Sequence, residues 1–128
     1  MALARGSDLL LAHSTALLDG GRVRLRIARR RDSAGIAALL DQVGEVSPEL
    51  ETARLVRFDP RRRFVVCATR LLAGREVVVG VGAIELGEDA VAEPSVLIVE
   101  DGLGDELRDL IRGALVSRAI ASTRVRAA

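Results

Sequence analysis

A Gly-x-Gly turn near the end of the chain is the segment whose residue types and spacing most directly suggest chemistry. Gly102-Leu103-Gly104 follows an apolar run typical of a strand and precedes a run typical of a helix. Such a turn is one way in which proteins hold a phosphate, because the free amides of a helix N-terminus point at the anion. Four carboxylates flank it, however: Glu100, Asp101, Asp105 and Glu106. They complement the helix dipole themselves and repel a phosphate, so anion binding stays an open question.

Two other side chains with reactive potential favour structural roles. Cys67 belongs to the apolar set of a predicted strand and has no base nearby in sequence, so we expect a buried structural thiol rather than a nucleophile. His13 interrupts an apolar segment and is interpreted as a polar break or a half-buried side chain. With one His and one Cys in the chain, no metal site is predicted.

The basic residues do not predict a polyanionic partner. All 19 are Arg, the net charge is +1, and Trp and Tyr are absent. Arg22, Arg24 and Arg26 alternate with apolar residues, as on the wet face of a strand. The Arg61–Arg63 cluster has no interleaved aromatic residues that could stack on bases. We therefore expect neither nucleic acid nor a membrane as a partner.

Length and composition indicate one globular domain. The chain has 128 residues, of which 49% are hydrophobic and 29% charged. A single cysteine excludes an intramolecular disulfide, and no apolar run reaches the ~18–20 residues that span a bilayer. We therefore expect a cytoplasmic protein without a leader peptide.

The N-terminal part predicts an apolar helix, residues 1–21, in front of the main domain, residues 22–128. The helical segment itself is Ser7–Leu18, which is apolar on nearly all sides and ends at Gly20-Gly21. Such a helix must be buried, either against its own domain or against a second copy.

The first half of the main domain reads as a strand and two helices. Arg22–Ala28 alternates strictly and predicts a strand. Asp32 is a good N-cap for a helix that Gly44 closes. A second helix begins at Ser47-Pro48 and stops at Asp59-Pro60.

Three strands and a helix are predicted to follow. Phe64–Leu72 and Val77–Leu86 form a hairpin, and Val91–Val99 extends it to a meander. Gly80 and Gly82 inside the second strand suggest a bulge or the close approach of another backbone. The helix after the glycine turn has an apolar inner face made of Leu103, Leu107, Leu110, Ile111 and Ala114. The last residues, Thr123–Ala128, are too few for more than a strand stub.

This order of elements resembles the GNAT acyltransferase superfamily over roughly Arg22–Ser122. Four local phrases resemble the branch that contains bacterial protein-lysine acetyltransferase domains: VRLRIARRRD, VSPELETARLVRFDPRRR, VVVGVGAIEL and AEPSVLIVED. The resemblance implies an α/β (α+β) fold, a mixed but mostly antiparallel sheet of about four strands with flanking helices. Compared with the family pattern, we expect this chain to lack the last strand and helix.

The resemblance assigns roles to specific residues. The strand Glu93–Val99 would splay from its neighbour and offer backbone groups, at Leu97 and Val99, to the pantetheine arm of acetyl-CoA. Gly102, Leu103 and Gly104 would hold the pyrophosphate. Glu93 matches the residue assigned in that branch as general base, which is needed because an amine attacks a thioester only when neutral. No metal is implied.

The sequence departs from the family pattern at the glycine turn and in the part that follows it. Val99 stands where the family has Gln or Arg, and the glycine turn is shorter. The chain also has no tyrosine to act as a general acid. The missing last strand would leave a sheet edge open, which the N-terminal helix or a second subunit should cover. A homodimer is therefore expected.

Three functions remain open from the sequence. The first is an active acetyl-CoA-dependent N-acyltransferase on an amine or lysine acceptor. The second is a GNAT-like domain with weak or lost activity that acts as a dimerising or regulatory module. The third is a small-molecule sensor that keeps the cleft but not the cofactor. The departures at the site favour the second, and no residue pattern identifies the acceptor.

Overall fold

The structure, a computed structural model, describes residues 14–16, 22–45, 47–86, 93–100, 102 and 104–127. Several predicted features fall outside these residues. They are His13, most of the predicted N-terminal helix, the first residues of the predicted third meander strand, Asp101 and Leu103.

Among the described residues, five antiparallel strands form one sheet in the order β1-β2-β3-β4-β5. They are β1 (Ser14–Ala16), β2 (Arg22–Ile27), β3 (Arg63–Leu72), β4 (Arg75–Glu85) and β5 (Val96–Val99). The four strands predicted from the sequence are all present, and the β3–β4 hairpin has the predicted bounds to within two residues. Because the turn at Ala73 and Gly74 has positive φ at both residues, it matches the right-handed twist of the flanking strands.

In the described part of the chain, three α-helices cover the two faces of the sheet. They are α1 (Ser33–Gln42), which a short 3-10 turn (Arg30–Asp32) precedes, α2 (Pro48–Val56) and α3 (Gly104–Ala127). The α1–α2 pair packs on one face, against residues that include Val65, Cys67 and Val81. The helix α3 packs on the opposite face, where Leu107, Ile111 and Leu115 are fully buried. The predicted α/β (α+β) fold with flanking helices is thus confirmed.

The N-terminal prediction is wrong where it can be compared. Ser14–Ala16 is a strand, not part of a helix, and pairs with β2 so that Ser14 lies opposite Arg24 and Ala16 opposite Arg22. The edge of β2 otherwise carries unpaired backbone groups, and pairing with them outweighs a helical pattern that rests on apolar composition.

Two further boundaries differ from the prediction. The strand β5 begins at Val96, since Pro94 has no N–H to donate to the ladder, and the N–H of Ser95 makes the first bond, to Ala83 O at 2.8 Å. The helix α3 continues to Ala127 instead of ending before Thr123. No Gly or Pro follows Gly113, so nothing in the sequence stops it.

Gly80 and Gly82 set the distance between β4 and α3. Pairing with β3 shifts at Ala68/Thr69, which leaves Val79 as an extra residue and confirms the expected bulge. A Cβ on Gly82 would lie 2.6 Å from Cγ2 of Ile111, and one on Gly80 would lie 2.7 Å from its Cδ1. The close approach is therefore made by helix side chains and not by another backbone.

The helices of the described residues include none that is both long and apolar enough to cross a membrane.

Candidate functional site

The two edges of strand β5 have different surroundings. Its inner edge pairs with β4, from Gly80–Val99 to Ala83–Val96, and the N–H of Glu100 donates to Val79 O at 2.9 Å. Because backbone groups alternate in direction along a strand, those of Leu97 and Val99 point to the outer edge. No strand lies beside that edge among the described residues. The strand β5 is fully paired with β4, so the expected splay of this strand from its neighbour is not found on the β4 side.

The side chains of Leu97 and Val99 serve the core and not the outer edge. Val99 is buried between the sheet and α3, and Leu97 packs half-buried against the same cluster. Any contact that these residues make with a ligand must go through their backbone. Their role in cofactor binding stays a prediction.

The glycine turn leads directly from β5 into α3. Gly104 has φ +55°, a left-handed conformation that favours glycine, and Gly102 is exposed. Asp105 and Glu106 lie in the first turn of α3, and Glu100 directly follows the strand. These carboxylates occupy the positive end of the helix dipole, so a diphosphate fits this turn poorly.

Two arginines of α3 reach back to β5 and to the segment before it. Nη1 of Arg108 donates to Leu97 O at 3.4 Å, on the outer edge of the strand. Nη1 of Arg112 donates to Oε2 of Glu93, also at 3.4 Å, and the Glu93 side chain is 66% exposed. Glu93, the predicted general base, is thus turned towards α3.

A cavity of about 260 Å³ lies on the other face of the sheet, between β5 and the α1–α2 pair. Its lining is Leu40, Glu45, Glu51, Leu55, Ser95, Val96, Leu97 and Ile98. The two carboxylates, Glu45 and Glu51, suit a cationic amine, and we call this site the acidic cavity. Glu93 is not part of the lining, so the structure does not bring the predicted base into this cavity.

Sequence reasoning assigned no site role to Glu45 or Glu51. The spacing of Glu51 and Leu55 on one helical face was the available signal, but nothing in a single sequence indicates that this face looks at β5. Ser95 was missed too, and its Oγ donates to Oε2 of Glu85 at 3.2 Å.

A second polar site, the Arg26 network, joins β2, the start of α1 and the β3–β4 hairpin. The guanidinium of Arg26 donates to both carboxylate oxygens of Asp32, at 2.8 and 2.7 Å, and to Oε1 of Glu76 at 2.9 Å. Thr69 donates to the other Glu76 oxygen, and the Arg29 N–H donates to Asp32. Asp32 is 5% exposed. The network thus ties three strands to one helix start.

The Arg26 network corrects two predictions. Asp32 does not cap α1 with its side chain, because its carboxylate is directed at Arg26 and at the N–H of Arg29. Arg26 does not face solvent as Arg22 and Arg24 do, since its side chain is only 13% exposed. Arg26 and Asp32 lie six residues apart with a turn between them. An alternating sequence pattern does not reveal that their side chains meet.

Opposing effects set the protonation of the network. Burial alone raises the pKa of Asp32, but hydrogen bonds from Arg26 and from the Arg29 N–H outweigh it and hold that pKa below its ordinary value. The Arg26 hydrogen bond likewise lowers the pKa of Glu76. The pKa of Arg26 rises, mainly through its hydrogen bonds to Asp32. The network therefore stays charged at neutral pH.

Cys67 lies next to this network and is fully buried. Burial raises the pKa of its thiol to about 12, so the thiolate is scarce at neutral pH. This agrees with the predicted structural role. Within the described residues, no group of three or more His, Cys, Asp or Glu side chains is placed to hold a metal.

Comparisons with known proteins identify the architecture. No protein-family model matches the sequence, and no curated protein matches it significantly. Among solved structures, the chain is similar to the GNAT domain of S. lividans PAT, with a TM-score of 0.60 and 17% sequence identity. The match covers 84% of this chain and 73% of that one. Together with the order of strands and helices, this similarity shows that the chain has the GNAT fold of the acetyltransferases.

Proposed function

We propose that this chain is a GNAT-fold module with weak or lost acetyl-CoA-dependent N-acetyltransferase activity, acting as a dimerising or regulatory partner. The charge at the turn between β5 and α3 carries the proposal. Asp105 and Glu106 lie in the first turn of α3, and Glu100 directly follows β5. A diphosphate at this helix N-terminus would meet carboxylates at close range, and like charges there repel.

The surroundings of β5 support the same conclusion. Arg108 contacts the Leu97 carbonyl, one of the outer-edge groups that a pantetheine arm would need. Glu93 pairs with Arg112 on the face that carries α3, away from the acidic cavity. The predicted base and the cavity that suits an amine are therefore on different sides of β5.

The two edges of the sheet support a dimer. Ser14–Ala16 covers the edge of β2, which is the far edge from β5. Of the two predicted covers for the β5 edge, the second subunit is thus the better candidate. We propose a homodimer that works in the cytoplasm without nucleic acid or membrane partners, in keeping with the net charge of +1.

Ligand-dependent stability tests the loss of cofactor binding. Acetyl-CoA present at about 100 times its dissociation constant would stabilise a binding protein by about 2.7 kcal/mol. We expect millimolar acetyl-CoA to leave the melting temperature of this chain unchanged. A clear upward shift would contradict the proposal. In that event, Asp105→Asn should bind more tightly than the wild type, because one repelling charge is removed.

Solution mass tests the dimer. Sedimentation at high micromolar concentration should give twice the mass of the 13.6 kDa chain. A strict monomer under those conditions would contradict a sheet edge that a second subunit covers.

The acidic cavity favours a second candidate, an active acetyl-CoA-dependent N-acyltransferase on an amine or lysine acceptor. Glu45 and Glu51 would then attract the cationic acceptor, and Glu93 would accept its proton after a local rearrangement. Glu51→Gln should raise KM for the amine, whereas Glu49→Gln, in the same helix turn but outside the cavity, should not. Glu93→Gln should lower kcat without abolishing acetyl-CoA binding. Equal activity in Glu93→Gln would remove that residue from the mechanism.

A further inference from the structure

A cavity at the junction of α2, β3 and β4 gathers an excess of positive charge that the proposed function does not use. It has a volume of about 480 Å³ and lies at the ends of these three elements. Its lining is Arg54, Arg57, Phe58, Asp59, Arg62, Arg63, Glu85 and Leu86. Four guanidinium groups thus face two carboxylates in one concave site, which we call the arginine cavity.

The two carboxylates of the arginine cavity are already engaged. Oδ1 of Asp59 accepts the N–H of Arg61 at 3.0 Å, within the turn that leads into β3. Oε2 of Glu85 lies 2.9 Å from Nε of Arg63 and also accepts the hydroxyl of Ser95. Only the Glu85 contact is an ion pair with an arginine of the lining, and the four arginines and two carboxylates together leave an excess of two positive charges.

Two of the four guanidiniums are uncompensated. Within the described part of the chain, neither Arg57 nor Arg62 has an ion-pair or hydrogen-bond partner for its side chain, and both residues are exposed. Arg54 pairs with Glu51 at 3.3 Å, outside the cavity lining. Like charges held at one site repel each other, so an anion that enters the cavity relieves a cost that the folded chain otherwise carries.

The backbone of the arginine cavity is fixed in place before any ligand arrives. The carbonyl of Asp59 accepts the N–H groups of Arg62 and Arg63, both at 2.9 Å, and the Arg62 carbonyl accepts the N–H of Leu86 at 2.8 Å. Nη1 of Arg63 donates to the Arg54 carbonyl at 3.3 Å. A preorganised site loses less entropy on binding than a flexible one.

Apolar side chains complete the lining of the arginine cavity. Phe58 and Leu86 lie among the four arginines. Arg63 has a carboxylate partner within the lining, since its Nε lies 2.9 Å from Oε2 of Glu85. Apolar groups beside a guanidinium lower the local dielectric constant, which strengthens its attraction for an anion.

We propose that the arginine cavity binds a phosphoryl dianion, either free phosphate or the phosphate group of a small organic molecule. Guanidinium groups bind phosphate oxygens in bidentate pairs, and a phosphate monoester carries about −1.5 to −2 charges near neutral pH. This charge matches the excess of two guanidiniums over carboxylates. The site lies at the end of α2 and not at the turn before α3, so phosphate binding there can be measured separately from acetyl-CoA binding.

Binding measurements on the full chain test this site. Inorganic phosphate and phenyl phosphate would be titrated against the protein by calorimetry, with chloride at matched ionic strength as the reference. We expect saturable binding of phosphate, and about tenfold weaker binding for Arg57→Gln and for Arg62→Gln, since each loses a charge-assisted hydrogen bond. Arg75→Gln, an exposed arginine at the start of β4, is the matched control and should bind as the wild type does.

The outcomes separate the source of the ligand and the role of geometry. Tighter binding of phenyl phosphate than of phosphate would indicate an organic ligand that packs against Phe58, and equal binding would indicate free phosphate. Arg62→Lys should restore only part of the affinity, because lysine keeps the charge but not the bidentate geometry. Equal binding by the wild type and both glutamine variants would overturn the proposal, as would an equal effect of chloride. Absence of phosphate binding would refute this site, whereas a shift of the melting temperature by acetyl-CoA would refute the proposed function. The two proposals can therefore fail independently.

Discussion

The Arg26 network and the contacts around β5 both join a guanidinium to a carboxylate, but with very different geometry. Arg26 holds Asp32 with two bonds of 2.7 and 2.8 Å, and both side chains are mostly buried. Arg112 contacts Glu93 with one bond of 3.4 Å, and the two side chains are 49% and 66% exposed. A pair with ideal geometry and little water fixes the fold, whereas a long, exposed pair contributes little and is easily exchanged for a ligand.

The difference follows from where each pair sits in the sheet. Arg26 lies in an inner strand of the sheet. Its carboxylate partners come from the short turn before α1 and from β4. Glu93 precedes an edge strand of four residues, and among the described residues its side chain pairs with Arg112 of α3. The chain therefore holds the β2 side of its sheet with a buried, well-aligned ion pair and the β5 side with longer, exposed contacts.

The largest effect is expected from removing Asp32. Asp32→Ala leaves the buried Arg26 guanidinium without its bidentate partner, and we expect the free energy of unfolding to fall by about 3 kcal/mol. Urea unfolding measures it. Asp41→Ala, an exposed carboxylate near the end of α1, is the control and should stay within about 0.5 kcal/mol of the wild type. Similar losses in both variants would break the comparison, since burial would then make no difference.

Acidification should weaken the Arg26 network next. The pKa values of Asp32 and Glu76 are lowered from ordinary values of 3.8 and 4.5. Groups whose pKa is lowered by folding bind protons more readily in the unfolded chain, so their stabilisation is complete above those ordinary values and is lost as the pH falls below about 4. Unfolding followed from pH 6 to pH 3 should show a steeper loss for the wild type than for Asp32→Ala. Parallel curves would show that Asp32 is not the responsible group.

The smallest effect is expected at the β5 end. Arg112→Gln removes the Glu93 pair, and the change in unfolding free energy should stay below about 0.5 kcal/mol because both partners are exposed. The same urea titration measures it. A loss comparable with that of Asp32→Ala would mean that the Glu93 pair is structural, and the contrast drawn between the two pairs would be wrong.

Local pattern predicted most of the fold and little of the site. Alternation in β2, the Pro48 helix start and the hairpin around Gly74 follow from neighbouring residues, so a sequence reveals them. The Asp32–Arg26 bond, the turning of Glu93 towards α3 and the meeting of Glu45 with β5 depend on tertiary contacts. The strand at Ser14–Ala16 was missed for the same reason, because an apolar segment does not record that it will complete an edge of a sheet.

Gly80 and Gly82 have a consequence for how this fold can vary. Because neither has a side chain, Ile111 and Leu115 pack directly against the β4 backbone, and α3 lies close to the sheet at this point. A larger residue at either position would push α3 away from the sheet, and the helix would carry the glycine turn and Arg108 with it. The distance of Arg108 from the outer edge of β5 therefore depends on two positions in a neighbouring strand.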